Sequence, residues 1–191
     1  MRNIPDTPKE DDPIFKQVSN VLIANNSIAS NAANQKAMEL GYNSMILSTQ
    51  IDGEARQVGE MLADMAKKIV HHDDPIEKPA AIIIGGETTV TVNGHGKGGR
   101  NQELALAASM KILGLSCLIG TLGTDGIDGP TEAAGALVDG DTKSHAEEKG
   151  LNPAKYLDEN DSYSFFQVLS DTIITGPTGT NVNDLALILA I

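Results

Sequence analysis

The chain has 191 residues, with 14 Lys and Arg against 26 Asp and Glu, a formal net charge of −12. This acidity argues against a broad nucleic-acid or anionic-membrane surface, because both need clustered cations, and no apolar run approaches the roughly 18 residues of a spanning helix. The lone Cys117 excludes an internal disulfide framework and points to a reducing cytoplasm; aromatics are 3% with no Trp, so no stacking platform for bases is expected.

Residues 1–13 are charged and carry Pro5, Pro8 and Pro13, the composition of a mobile leader, with no apolar segment of a secretory signal. The apolar run Val18–Ile23 suits a buried strand. Ser27 is placed to cap a helix over 28–40, stopped by Gly41. Ser44–Ser48 reads as a second strand. Over 54–70, Val58, Met61, Leu62, Met65 and Ile69 recur at three- and four-residue steps, the stripe of an amphipathic helix. These elements form a βαβα unit that ends in the polar linker 71–79.

Ala80–Ile84 is a fully apolar strand, and the β-branched Thr88–Val92 suggests another after the Gly85-Gly86 break. An apolar helix follows over 101–113, with few polar faces, as in a helix sandwiched between layers. Cys117–Leu122 is a buried strand. Helices are expected over 142–149 and 153–170, the latter broken near Asn160, and strands over 172–175 and 185–191. Helices alternating with apolar strands indicate an α/β fold: three layers, a largely parallel or mixed sheet, and a partial βαβα unit of a second α/β domain over 14–75 ahead of a domain over 80–191. Ligands in such sheets sit at loops leaving the strand ends.

Glycine is 19 of 191 residues, about 10% against a usual ~7%, and clusters in three loops. In the first, Gly94, Gly96, Gly98 and Gly99 surround Lys97 and precede Arg100 and a helix start, a candidate anion site built from free backbone N–H groups, a helix dipole and two cations. Gly94-x-Gly96-x-x-Gly99 also matches the dinucleotide fingerprint, while Gly98 after Lys97 excludes a P-loop; a flexible hairpin tip is the plain alternative. The second loop, 123–131, places Asp125 and Asp128 three residues apart, candidates for Mg²⁺ beside a phosphate, although Asp-Gly turns often bind nothing. The third, 176–184, offers Thr178, Gly179, Thr180 and Asn181 for polar ligand contacts. Glu87 could cap or ligate, and Cys117 reads as core.

Taken together, Gly85-Gly86-Glu87-Thr88-Thr89-Val90, Gly96-Lys97-Gly98-Gly99-Arg100-Asn101-Gln102-Glu103, Gly123-Thr124-Asp125-Gly126-Ile127-Asp128-Gly129-Pro130-Thr131 and Gly176-Pro177-Thr178-Gly179-Thr180-Asn181-Val182-Asn183-Asp184 resemble the C-terminal, MOFRL domain of the type-II glycerate kinases. Residues 14–70 resemble the end of that family's N-terminal domain. The resemblance implies ATP- and Mg²⁺-dependent phosphorylation of glycerate to 2-phosphoglycerate between two α/β domains. In it, Arg100 is the charge stabiliser near the transferred phosphoryl, Asp125 and Asp128 serve the metal or nucleotide, and Thr178, Thr180 and Asn181 are polar contacts. The family's glycerate site and its lysine lie in an N-terminal portion without counterpart here. The chain alone is therefore expected to be incomplete as a catalyst, with a separately encoded N-terminal half as candidate partner and self-association expected. A stand-alone nucleotide- or phosphate-binding module and an NAD(P)-dependent hydroxypyruvate reductase are the competing readings.

Overall fold

The computed structural model describes residues 6–191, so the first five residues of the expected leader lie outside the described residues. Residues 6–12 form no helix or strand and lead into a 3-10 turn over Pro13–Gln17. The order then runs α1 (Asn26–Glu39), β1 (Asn43–Ile51), α2 (Ala55–His72), β2 (Ala80–Gly86), α3 (Arg100–Ser109), β3 (Cys117–Gly123), β4 (Gly135–Asp139), α4 (Thr142–Glu148), α5 (Pro153–Asp158), α6 (Ser162–Leu169), β5 (Thr172–Ile173) and β6 (Asp184–Ala190).

The six strands form one sheet in the order β1-β2-β6-β3-β4-β5. Only β1 and β2 are parallel, and every other neighbouring pair is antiparallel. The sheet is thus mixed rather than largely parallel, because the last strand, β6, inserts between β2 and β3 and runs against both. Alternation along β6 sorts its side chains: Ala186, Ile188 and Ala190 enter the core with Ile82, Ile84 and Ile119. Helices α2 and α3 cover that face. Val58, Leu62, Ala66 and Ile69 are buried along α2 at helical spacing, while Met61 stays exposed. Residues 101–109 of α3 are all buried, the sandwiched helix that their composition implies. Helix α1 lies on the opposite face, where Gly85 is so close to Asn26 and Ser30 that no side chain fits. Its cap is Asn25 and not Ser27: Asn25 Oδ1 accepts from the Ile28 N–H at 2.8 Å.

Two expected strands are absent. Val18–Ile23 has no regular structure and is exposed, with Val21 at 77% and Ile23 at 87%. Residues 88–92 form only one isolated bridge, Thr89 with Glu54. There the chain crosses the β1–α2 junction: Thr89 N–H donates to Gly53 O, and Thr91 donates from N–H and Oγ1 to the Glu54 carboxylate. Strand β4, by contrast, follows the small residues Ala133 and Ala134 and was not anticipated. Across residues 75–80 the sheet is continuous: β1 pairs with β2, and α2 shares one core with α3.

Candidate functional site

Strand register gathers the three glycine loops at one end of the sheet. Gly86 at the end of β2 and Gly123 at the end of β3 both face Asp184 at the start of β6. The segments leaving β2 and β3 and the segment entering β6 therefore converge.

The first loop is anchored on the corner between α5 and α6. Asn160, in the left-handed region at φ 53, accepts from the N–H groups of Asn93 and Gly94 at 2.8 and 2.9 Å. Gly96 N–H donates to Glu159 O at 2.8 Å, and Lys97 N–H donates to Asp161 Oδ1 at 2.9 Å. A Cβ on Gly94, Gly96 or Gly99 would collide with Glu159, Asp161 or Asp128 respectively, so these glycines allow close packing of backbone on backbone. The Lys97 ammonium lies over the Tyr163 ring, 5.1 Å from its centroid. Asn160 Nδ2 donates to Glu103 Oε2 at 2.9 Å. The other Glu103 oxygen accepts from Arg56 Nε and Nη2 at 3.0 and 2.8 Å. A chain from the half-buried Arg56 through the buried Glu103 to the buried Asn160 thus supports the loop.

The start of α3 is closed by Asp128. Its Oδ1 accepts from Asn101 N–H and Nδ2 at 3.1 and 3.3 Å, and its Oδ2 accepts from Gln102 N–H and Nε2, each at 2.9 Å. Asp128 is 2% exposed. Burial pushes its carboxyl above the usual range, with the hydrogen bonds from Gln102 and Asn101 opposing. The helix N-terminus that the sequence offers to a ligand anion is therefore held by an internal one. Asp128 is a capping carboxylate, and it does not pair with Asp125 on a metal. Among the described residues, no group of three or more His, Cys, Asp and Glu is gathered for a metal ion. With both oxygens of Asp128 taken up by Asn101 and Gln102, the pair does not present two open carboxylates to one ion. Only the partly exposed Asp125 remains accessible, with Oδ1 accepting from Ile127 N–H at 3.1 Å and Oδ2 from Asn181 Nδ2 at 3.2 Å.

The second and third loops are stitched together. Thr124 Oγ1 donates to Asn183 O at 2.7 Å and accepts from Val182 N–H at 2.8 Å. Thr178 N–H donates to Asp125 O, and Thr178 Oγ1 to Thr124 O at 2.5 Å. Gly179, Thr180 and Asn181 are exposed at the rim. Asn26 of α1 ties this rim down, donating to Val182 O and Asp184 O, each at 2.9 Å.

Arg100 occupies the centre. Its Nε and Nη2 donate to Asp184 Oδ2 and Oδ1 at 2.5 and 3.0 Å, and its Nη1 meets Glu87 Oε1 at 3.0 Å. The Asp184 pairing, chiefly, raises the guanidinium further above its ordinary value against the opposing effect of burial. Arg100 lines a cleft of about 720 Å³ with Glu87, Gly96, Gly98, Gly99 and Gly129. Within this set Arg100 is the only cation.

Residues 80–184, more than half of the chain, match the MOFRL family. The chain belongs to the MOFRL family. The D-glycerate 2-kinase of Thermotoga maritima is 47% identical over 176 residues, covering 90% of this chain and 42% of that protein. The glycerate 2-kinase of Pyrococcus horikoshii is 44% identical over 185 residues, covering 96% and 41%. The crystal structure of the Thermotoga maritima glycerate kinase superposes with a TM-score of 0.88 at 46% identity, over 90% of this chain and 42% of that one. The MOFRL chain thus spans about two-fifths of the length of these relatives.

In this MOFRL site the expected residues divide. Arg100, Gly96, Gly98 and Gly99 face the cleft; Gly94 packs against Glu159 and Lys97 lies on Tyr163. Thr178 and Asn181 brace the second loop, whereas Thr180 bonds to Thr178 within its own loop. The dinucleotide fingerprint loses its physical basis, since no strand leads into Gly94 and Asp128 caps the helix. Sequence reasoning missed Asp184, Glu103, Asn160 and Arg56. Their partners lie 84, 57 and 47 residues away, and no local spacing signals such contacts.

Proposed function

We propose that the chain supplies one wall of a glycerate 2-kinase site, in which ATP phosphorylates the 2-hydroxyl of glycerate. Arg100 carries this reading: a lone cation, aimed by Asp184 into a glycine-lined cleft, where charge develops on a transferring phosphoryl group. Asp184 fixes the guanidinium plane through two bonds, so Arg100 meets an oxyanion already oriented. The relatives named as glycerate 2-kinases support the substrate class. Mg²⁺ would neutralise nucleotide phosphates, and of the expected pair only Asp125 has a carboxylate open to it. The portion of the relatives that this chain does not span is the proposed partner, and a reducing cytoplasm is the proposed setting for the free thiol of Cys117.

The test is ADP release in a coupled assay with D-glycerate, ATP and Mg²⁺. It is run on the chain alone and on the chain fused to the remaining portion of the Thermotoga maritima enzyme. The fusion should turn over with glycerate and lose about 10²–10³-fold in Arg100→Ala, while the chain alone stays near background. Hydroxypyruvate-dependent NADH oxidation, or turnover indifferent to Arg100, would overturn the reading.

A further inference from the structure

The two carboxylates on Arg100 are held very differently. Asp184 sits in β6, paired on both sides with Gly86 and Gly123, and its side chain is 11% exposed. It takes the Nε/Nη2 edge of the guanidinium through two bonds. Glu87 takes Nη1 alone, through a side chain that is 50% exposed. Its backbone is pinned by an N–H bond to Ile51 O at 2.9 Å, but among the described residues its carboxylate has no partner other than Arg100. The backbone is hydrogen-bonded in place, while the half-exposed carboxylate is held by Arg100 alone.

We infer that Glu87 occupies, as a tethered and displaceable carboxylate, the place on Arg100 Nη1 that a ligand oxyanion takes. This rests on reading Arg100 as the oxyanion-binding group. Asp184 is not displaced, because it is bidentate and fixed in a central strand. Glu87 is the weaker of the two pairs, exposed and held by one contact. With Glu87 in place, one guanidinium faces two carboxylates and the cluster carries an excess negative charge, which repels an approaching anion. An incoming group must therefore outcompete a carboxylate already delivered to Nη1. A second negative charge on the ligand strengthens its attraction to the guanidinium and its repulsion by the carboxylates alike, so this competition sets how tightly an oxyanion binds at Nη1 and does not select its charge. Glu87 is thus a positioning residue that tunes oxyanion binding, acting through Arg100 and not on the reacting atoms.

The probe is inorganic phosphate, titrated by calorimetry at fixed ionic strength into the wild type, Glu87→Gln and Arg100→Ala, with MgATP and D-glycerate as parallel arms. Glu87→Gln should tighten phosphate binding about three- to five-fold, the range an exposed ion pair can contribute, and Arg100→Ala should abolish it. Melting temperatures check that each variant folds. The arm among MgATP and D-glycerate that tightens in parallel identifies whose oxyanion meets Nη1. Phosphate affinity unchanged or weakened in Glu87→Gln overturns the inference, as does an absence of phosphate binding in both wild type and Glu87→Gln. If phosphate tightens as expected while glycerate-dependent turnover is absent from the fusion, the kinase reading fails and the Glu87 assignment stands.

Discussion

Asp128 shows how burial changes the meaning of a residue. Read along the sequence, it is half of an acidic pair on a glycine turn. In the fold its carboxylate has four donors from the first turn of α3 and almost no solvent contact. Burial raises its pKa above the ordinary 3.8, so the folded chain holds that proton more tightly than the unfolded chain does. Its contribution to stability is therefore complete below the unfolded value and is lost as pH rises through the folded value. The exposed Asp64 runs the other way. Its hydrogen bond with Lys67 lowers its carboxyl, so its small contribution is present above the ordinary value and is lost on acidification. A carbon-13 NMR titration should give Asp128 a midpoint above 3.8 and Asp64 one below it; an Asp128 midpoint at or below 3.8 would mean that the four donors outweigh burial, and would contradict the stated pH dependence. Arg100 was legible in the sequence because its charge stands among glycines. Asp184 was not, since nothing local marks an aspartate at the start of a strand as the partner of an arginine 84 positions earlier.

At the scale of elements, periodic segments were the most readable. The stripe of α2, the apolar run of β2 and the break at Asn160 between α5 and α6 all follow from spacing or turn chemistry. The failures share one cause: an apolar or β-branched run states that a segment favours burial or extension, not which surface will receive it. Val18–Ile23 meets no sheet edge, and 88–92 is spent on bonds to Gly53 and Glu54. The glycine loop likewise depends on its distant support at the α5–α6 corner. Asn160→Gly keeps the left-handed backbone but removes the amide, freeing the N–H groups of Asn93 and Gly94 and one Glu103 oxygen. Denaturant unfolding should show a loss of about 1–3 kcal/mol. Asn160→Asp, which sets a carboxylate against Glu103, should lose more. Stability unchanged in both variants would remove the amide from the account.

For the whole molecule, the mixed sheet decides what is covered. The core face is closed by α2 and α3, while α1 covers only part of the other face. There Leu118 adjoins Leu189, Gly120 lies between Leu137 and Leu187, and Leu122 adjoins Leu185. These leucines are all partly or largely exposed, with Leu137 at 41%, and the exposed run 18–23 adds further apolar surface. An apolar surface of this extent favours association. Light scattering should therefore report a mass above the 20.1 kDa of one chain, together with binding of an apolar dye; a monomer that binds no dye contradicts this. The same topology converges three loops on Arg100, and that convergence is the basis of the proposed phosphoryl-transfer role. Its most direct test is calorimetric titration of MgATP and of NADH into the wild type and Arg100→Ala. MgATP should bind the wild type and not Arg100→Ala, and NADH should bind neither. NADH binding, or MgATP binding that survives Arg100→Ala, would contradict it.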